Sequence, residues 1–350
     1  HPTATMSEVL IYGSYGYTGD RIARAAVDRG WNPILAGRTA GKVTAQTDDL
    51  GCRARIFEVD EAADRLHDVD VVLNCAGPFS QTAAPLAQAC LETGTDYLDI
   101  TGEVGVFTRL DGMDEAADDA GVTLMPGVGF DVVPTDCLAA HLHDRLPSAE
   151  TLSLGFDAVG SFSPGTLKTA VEGLGQGCVV RRESHLKQVP AAWKTRSVDF
   201  GRGTKKATTV PWGDVATAYY TTGIPNVEVY AALPRVARTL LKAERNLGGF
   251  LDGDLVQSAL KGLVERTVDG PDDEELDDGF VWVWGEATDG YDEAVSRLRT
   301  PHTYKLTVET ALLATERVRN GDAPTGYQTP AGAFGPDFVL EVDGVQRVDD

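Results

Sequence analysis

The chain has 350 residues, a hydrophobic fraction of 42% and a formal net charge of -22 at pH 7. That hydrophobic content over that length is enough for two packed domains, which excludes a fibrous or disordered protein. The excess of Asp and Glu argues against nucleic acid and anionic membrane surfaces as partners, because no basic stripe is present to bind them.

Three glycines spaced three residues apart follow the first apolar segment, Val9–Tyr12, and a helix-compatible segment follows them. Strand, glycine-rich turn and helix in this order are typical of a dinucleotide-binding domain. The helix N-terminus of such a unit offers N–H groups and a positive dipole end to phosphates. The predicted pyrophosphate-binding residues are Gly13, Ser14, Tyr15, Gly16, Tyr17, Thr18 and Gly19.

A second strand is predicted to end at Arg38, about twenty residues after the glycine turn. An acidic residue at this point would bind the ribose hydroxyls of NAD, but the chain has Arg38, with Thr39 and Lys42 close behind. A guanidinium can bind a 2′-phosphate bidentately and stack on adenine. The sequence therefore predicts NADP(H) rather than NAD(H), with an ordinary surface arginine as the alternative.

Further strand segments alternate with helices at about 82–93 and 110–120. This alternation predicts an α/β Rossmann-type domain, a doubly wound parallel sheet of six strands, over residues 6–147. The remaining predicted strands are Arg55–Asp60, Asp70–Phe79, Asp96–Ile100 and Val122–Gly127. Ligands of such sheets bind at the carboxyl ends of the strands. The candidate cofactor-binding residues there are Asp60, Cys75, Ala76, Gly77, Pro78, Phe79, Gly102 and Glu103.

The pattern changes near Pro147, where β-branched and aromatic runs begin to alternate with turn residues. We predict a second, α+β domain over 148–300, built on a mostly antiparallel sheet that covers the crevice and binds substrate. Its strand runs are 151–156, 226–233 and 280–284, with a hairpin turn at 289–290. A helical region is expected over 234–275, and an acidic, solvated loop over 269–278. Residues 301–350 are expected to form a C-terminal helix, about 302–320, and a tail that pack back on the first domain.

No apolar run is long enough for a membrane span, and we expect no signal peptide before the first strand. Residues 1–5 are interpreted as a tag remnant or an alternative start. The five cysteines show no C-x-x-C spacing, which favours reduced, mostly buried thiols in a cytoplasmic protein. The acidic surface is interpreted as a halophilic adaptation, because salt screens self-repulsion, and folding is expected to need high salt.

Several motifs together resemble the saccharopine dehydrogenase-like oxidoreductases, and among them the trans-acting enoyl reductase-like branch. The resemblance runs from about residue 7 to 340. It is carried by the turn at 13–19 and by the segments 36–38, 74–79, 97–103 and 129–136, with weaker matches at 165–169 and 326–331. The family usually has a small residue where this chain has Tyr15. The bulky ring puts the detailed pose of the cofactor in doubt.

The resemblance implies hydride transfer between nicotinamide C4 and an enoyl, imine or carbonyl group of a small or lipid-like substrate. It also implies that residues 76–79 pack beside the nicotinamide and that Glu103 binds its ribose or carboxamide. A surface carboxylate after a strand is the alternative for Glu103. The candidates for proton transfer are Asp131 and Lys168. Asp131 as a local hydrogen-bond acceptor and Lys168 as a surface lysine are the alternatives. No metal site is expected, since His141 and His143 lie two residues apart on a predicted helix and face different sides.

Two other functions stay open at this point. One is a non-catalytic NADP(H)-binding sensor or scaffold. The other is a saccharopine-type C–N dehydrogenase acting on an amino acid, for which Arg181 and Arg182 are candidate carboxylate ligands. A homodimer also stays open, and a small-molecule or lipid-like substrate is the expected partner.

Overall fold

The computed structural model describes residues 8–157, 177–233, 235, 238 and 279–350. Contacts divide the chain into two compact units. The first contains the described residues up to Val133 together with Leu306–Gly335. The second contains the described residues of Pro134–Lys305 together with Pro336–Asp350.

The amino-terminal part of the chain alternates strands and helices. The strands are β1 (Val9–Tyr12), β2 (Ile34–Gly37), β3 (Arg53–Ile56), β4 (Val71–Asn74), β5 (Asp96–Asp99) and β6 (Thr123–Met125). The helices are α1 (Tyr17–Asp28), α2 (Ala40–Leu50), α3 (Phe79–Thr93), α4 (Val104–Asp111), α5 (Asp114–Ala120) and α6 (Val133–Arg145). A 3-10 helix spans Val59–Arg65.

The rest of the described chain is richer in strands. They are β7 (Thr151–Asp157), β8 (Cys178–Arg182), β9 (His185–Val189), β10 (Thr195–Asp199), β11 (Thr204–Thr209), β12 (Asn226–Ala231), β13 (Phe280–Thr288), β14 (Glu293–Pro301), β15 (Gly326–Tyr327) and β16 (Gln346–Asp349). The helices are α7 (Asp214–Thr222), α8 (Thr303–Arg319) and α9 (Pro330–Phe334), and a second 3-10 helix spans Phe338–Glu341.

The first unit contains a parallel sheet with the strand order β15-β6-β5-β4-β1-β2-β3. Strands β1, β2 and β4 are buried along their whole length, as expected for central strands with helices on both faces. This confirms the predicted α/β Rossmann-type fold. The sheet has seven strands among the described residues where the sequence predicted six, because β15 joins the edge strand β6 from a distant part of the chain.

A predicted strand and a predicted helix of the first unit differ from the structure. The third strand ends at Ile56, because Glu58 and Glu61 form a reciprocal capping box that begins the 3-10 helix. Asp60 is therefore on this helix and not on a strand. The helix predicted over 110–120 is two helices, α4 and α5, separated at Gly112 and Met113.

The second unit contains a mostly antiparallel sheet, which confirms the predicted α+β fold. Its strand order is β10-β11-β12-β7-β13-β14-β16, and β8 pairs with β12 and β9. Strands β7 and β12 form the one parallel pair recorded among the described strands of this sheet. Strands β13 and β14 form a long hairpin whose turn contains Gly290 at φ +90°. The helices predicted over 234–275 and the acidic loop over 269–278 lie outside the described residues, apart from Arg235 and Arg238.

Within the described ranges, no helix combines the length and the apolar character needed to cross a bilayer. The same ranges contain no group of three or more His, Cys, Asp or Glu side chains placed to bind a metal ion. The cysteines are all free.

Candidate dinucleotide-binding site

Gly13, the first glycine of the turn, follows β1 and packs against the ends of β2 and β4. The Gly13 N–H donates a hydrogen bond to the Ala36 carbonyl at 2.8 Å, where β2 ends. Gly13 has φ +74°, and a Cβ added there would lie 2.7 Å from both the Cβ and the backbone nitrogen of Ala76, after β4. Because both the φ value and the contact exclude a side chain, the tight turn after β1 depends on glycine at this position.

The third glycine allows α1 to begin directly against the turn. A Cβ added at Gly19 would lie 2.3 Å from the Gly13 carbonyl oxygen. Gly16 is the N-cap of α1 and provides no side-chain cap. Helix geometry gives the N–H groups of Thr18 and Gly19 no intrahelical acceptor, so this end of α1 favours an anion. This arrangement is suited to a pyrophosphate.

Gln46 supports the turn from the buried face of α2, and the sequence analysis did not identify it. Its side-chain amide donates hydrogen bonds of 2.8 Å to the Ser14 carbonyl and to Asp20 Oδ1. Gln46 Oε1 is buried without a hydrogen-bond partner among the described residues. A polar residue at helical spacing from the buried Val43 was the available signal.

Arg38 and Lys42 supply positive charge beyond the carboxyl end of β2. Both side chains are exposed, and neither forms an ion pair within the part of the chain that the structure describes. The ring of Tyr15 lies against Gly37, and its hydroxyl contacts Thr39. Tyr15, the bulky residue of the turn, therefore lies at the end of β2 that also carries Arg38, Thr39 and Lys42.

Asp60 lies near this end of the site, although it is on the 3-10 helix. The pKa of Tyr12 is raised to about 12, and burial is the largest cause. The charges of Glu58 and Asp60 also act to raise this pKa, whereas the charge of Arg38 acts to lower it. Asp60 and Arg38 therefore both act electrostatically on the Tyr12 hydroxyl, which donates a hydrogen bond to the Phe57 carbonyl. The positive charge of Arg38 lies after β2, and the negative charge of Asp60 lies after the neighbouring strand β3.

Residues 75–79 connect β4 to α3, and Gly77–Pro78 is a cis peptide. The loop is held by the buried side chain of Asn74. Asn74 Oδ1 accepts a hydrogen bond from the Ala76 N–H at 2.9 Å, and Asn74 Nδ2 donates to Thr82 Oγ1 and to the Tyr97 hydroxyl, each at 3.1 Å. Thr82 in turn donates to the Ala76 carbonyl at 2.6 Å. The loop conformation is thus held by the buried Asn74 and the partly buried Thr82.

Asp99 continues this buried network to the ends of β5 and β6. The Tyr97 hydroxyl donates to Asp99 Oδ2 at 2.8 Å, and the N–H groups of Thr101 and Gly127 donate to Asp99 Oδ1 at 2.9 Å. Burial raises the pKa of Asp99 to about 6 and outweighs these hydrogen bonds, which favour the charged form. Asn74, Tyr97 and Asp99 lie within the motifs of the sequence, but their mutual contacts were not predicted.

Glu103 binds the beginning of α3. Its two carboxylate oxygens accept hydrogen bonds from the N–H groups of Phe79 at 2.9 Å and Ser80 at 3.0 Å. A carboxylate at this position satisfies two first-turn donors and the positive end of the helix dipole, which is why α3 begins at Phe79 and not near Thr82. Each oxygen still has lone-pair capacity for a further donor.

Asp131 lies against Gly102 and is partly buried. A Cβ added at Gly102 would lie 3.0 Å from Asp131 Oδ2, so glycine at 102 leaves room for the carboxyl group. Burial raises the pKa of Asp131 to about 7. Helix α8 supports this loop from behind, since the Phe130 N–H donates to Thr307 Oγ1 at 3.0 Å and Thr310 donates to the Val128 carbonyl at 2.8 Å.

The other predicted residues are distributed as follows. Tyr17 is exposed, with the Arg21 guanidinium 3.9 Å from its ring centroid. Cys75 is anchored by its own N–H, which donates to the Tyr12 carbonyl at 2.8 Å. Lys168 and the motif at 165–169 lie outside the described residues.

The raised carboxyl pKa values predict that the free energy of unfolding falls as pH rises from about 4 to about 7. Asp96 and Asp99 have folded-state pKa values of about 6 and Asp131 of about 7, above the unfolded value near 3.9. The folded state therefore binds more protons over this range, and its advantage is lost as pH passes through the folded pKa values. For the fully buried Asp99 the loss is on the order of 2 kcal/mol.

Urea denaturation at constant salt measures this dependence. Asp99→Asn, which mimics the protonated carboxyl, should show a shallower pH dependence than the original chain, whereas the exposed Asp28→Asn should not. An unchanged slope in Asp99→Asn would show that Asp99 does not titrate in this range.

Comparison with known proteins shows what the part of the chain that carries this site is similar to. Residues 9–125 match the family model described as the saccharopine dehydrogenase NADP binding domain. A trans-acting enoyl reductase of Mycobacterium ulcerans is 32% identical over 153 residues, which cover 39% of this chain and 36% of that protein. A putative trans-acting enoyl reductase of Mycobacterium tuberculosis is 31% identical over 192 residues, which cover 49% of this chain and 45% of that protein.

The matched stretches thus span less than half the length of these relatives. The apo structure of saccharopine dehydrogenase (L-Glu forming) from Saccharomyces cerevisiae aligns with a TM-score of 0.67 and 14% identity, covering 98% of this chain and 100% of that one. This likeness shows a shared fold. Together the matches confirm the predicted resemblance to the saccharopine dehydrogenase-like oxidoreductases and a nicotinamide dinucleotide as the type of cofactor.

Proposed function

We propose, from the premise that residues 9–125 form a saccharopine dehydrogenase NADP-binding domain, that the chain is an NADP(H)-dependent oxidoreductase. The observation that carries the proposal is the joint arrangement of the packed turn at 13–19 and the exposed Arg38 beyond β2. The turn presents a helix N-terminus that lacks a side-chain cap, and Arg38 presents a guanidinium without an ion-pair partner among the described residues. The donors suit two separated phosphate groups.

The residues present fit a phosphorylated dinucleotide. The first turn of α1 would hold the pyrophosphate, and Arg38 with Lys42 would hold the 2′-phosphate of the adenosine ribose. When bound, the nicotinamide supplies or accepts a hydride. Residues 76–79 and Glu103 belong to the strand ends beyond β4 and β5, where the nicotinamide half would lie.

Asp131 is the proposed proton donor of the reduction. Its pKa of about 7 leaves a substantial protonated fraction near neutral pH, as a general acid requires. Glycine at position 102 leaves room for the carboxyl group, and α8 holds the neighbouring residue Phe130 through Thr307. Asp131 would deliver the proton that completes the reduction of a double bond.

An enoyl group is the substrate class to test first, because the similar proteins of M. ulcerans and M. tuberculosis are named enoyl reductases. Hydride addition to the β-carbon and protonation of the α-carbon would convert such a group to the saturated product. Imine and carbonyl substrates require the same hydride and a proton on nitrogen or oxygen. All three classes therefore belong in one substrate panel.

Asp131→Asn is expected to lower kcat for NADPH oxidation by about 100-fold while NADPH affinity stays within about twofold. The isosteric amide cannot supply the proton, but it retains the packing against Gly102. The assay follows NADPH absorbance with enoyl thioester, imine and keto substrates. The limb of the kcat profile near pH 7 should disappear in the variant.

Glu316→Gln, an exposed carboxylate on α8, serves as the matched control and should leave kcat and its pH profile unchanged. NADPH binding without oxidation of any substrate in the panel would favour the sensor function. Failure of the original chain to bind NADPH would contradict the proposal as a whole.

A further inference from the structure

Tyr15 lies in the glycine-rich turn, and its ring packs on the end of β2. A Cβ added at Gly37 would lie 2.5 Å from Tyr15 Cε1 and 3.3 Å from the Tyr15 hydroxyl oxygen. Gly37 is not among the described glycines with positive φ. The Tyr15 ring, and not backbone strain, therefore excludes a side chain at position 37.

The Tyr15 hydroxyl is linked to the first residue before α2. It donates a hydrogen bond to Thr39 Oγ1 at 3.2 Å. Thr39 is the N-cap of α2, yet its side chain makes no capping hydrogen bond. Since Tyr15 supplies the proton of this bond, the Thr39 O–H remains able to donate to an incoming anion.

The Tyr15 ring also contacts the cation of the first turn of α2. Lys42 Nζ lies 5.6 Å from the ring centroid, within the range of a cation–π interaction. Such a contact limits the positions that the long lysine side chain adopts. One side chain from the phosphate-binding turn thus contacts both a hydroxyl donor and an ammonium next to Arg38.

We infer that Tyr15 is a positioning residue for recognition of the 2′-phosphate, acting through Thr39 and Lys42; this inference rests on the proposed NADP(H)-dependent function. Thr39 supplies a hydroxyl donor and Lys42 a charge to the phosphate that Arg38 binds. Tyr15 holds both before the cofactor arrives, so less side-chain entropy is lost on binding. Tyr15 therefore increases selectivity for the phosphorylated cofactor.

The test compares Tyr15→Phe with the original chain, using NADPH and NADH, and 2′,5′-ADP and 5′-AMP as matched fragments. Tyr15→Phe keeps the ring on Gly37 and under Lys42 but removes the hydrogen bond to Thr39. It is expected to weaken NADPH and 2′,5′-ADP binding about fivefold and to change NADH and 5′-AMP binding less than about twofold. Tyr15→Ala, which also frees Lys42, should weaken NADPH binding about 20-fold.

A double-mutant cycle separates positioning from general packing. Adding Tyr15→Phe to Thr39→Val should cause no further loss of NADPH affinity, because the hydroxyl through which Tyr15 acts is already absent. Tyr291→Phe, on the exposed tip of the β13–β14 hairpin, is the control and should change no affinity.

The outcomes distinguish this inference from the proposed function. If the original chain prefers NADPH but Tyr15→Phe weakens NADPH and NADH equally, only the inference about Tyr15 is overturned. If the original chain binds both cofactors equally, the proposed choice of NADP(H) fails and the inference fails with it.

Discussion

Gly13→Ala is expected to abolish detectable NADPH binding and to lower the free energy of unfolding by about 3 kcal/mol. The alanine would adopt φ +74°, which costs about 1–2 kcal/mol for a residue with a Cβ. Its Cβ would also lie 2.7 Å from the Ala76 backbone nitrogen, so the turn and the loop beyond β4 must separate. The turn at 13–19 and the loop at 75–79 are both displaced as a result.

Gly30→Ala is the matched control. Gly30 has φ +79°, and no atom lies within 4 Å of a Cβ added there. The variant should therefore show the backbone cost alone, about 1–2 kcal/mol, with unchanged NADPH affinity. Urea denaturation and fluorescence titration of NADPH measure the two quantities. Equal behaviour of the two variants would show that the contact with Ala76 contributes nothing.

Arg38→Ala is expected to weaken NADPH binding about 100-fold and NADH binding less than about threefold. The side chain is exposed beyond β2, next to the N-terminus of α2, and forms no ion pair with any described residue. The loss should therefore come from the phosphate contact and should diminish as salt concentration rises. Titration with both cofactors at low and high salt measures these effects.

Arg109→Ala removes one positive charge from an exposed position on α4. It changes the net charge of the protein as much as Arg38→Ala does and is therefore the control for that change. It should leave both affinities unchanged. If Arg38→Ala weakened NADPH and NADH to the same degree, Arg38 would not determine the choice between the two cofactors.

The sequence predicted the elements that depend on local pattern. Strands β1, β2 and β4 are short apolar runs, and their burial on both faces follows from composition alone. The glycine spacing of the turn similarly predicted the junction of β1 and α1. These elements can be predicted without knowing which residues contact them from other strands.

The contacts that hold the site could not be predicted, because they join residues far apart in the chain. Tyr97 and Asp99 were assigned to a strand motif, but their bonds to Asn74 and Gly127 depend on the strand order in the sheet. Gln46 binds the turn across 32 residues. A pattern within one segment contains no information about such partners, whereas the sheet topology brings them together.

The strand β15 was missed for a related reason. Two residues, Gly326 and Tyr327, are too few for a periodic pattern, and glycine is not typical of strands. The pairing is stabilised from outside the sheet, where the Tyr327 N–H donates to Asp114 Oδ1 at 2.7 Å.

The edge strand β6 therefore receives its neighbour from residues that are synthesised some 200 positions later in the chain, as the spacing between Thr123 and Gly326 shows. Before these residues have been translated, β6 has an unpaired edge, and α8, the helix that supports the Asp131 loop, is also missing. Both the pairing of β6 and the support of the Asp131 loop therefore require residues up to Tyr327, and a fragment that ends before Thr307 would lack both.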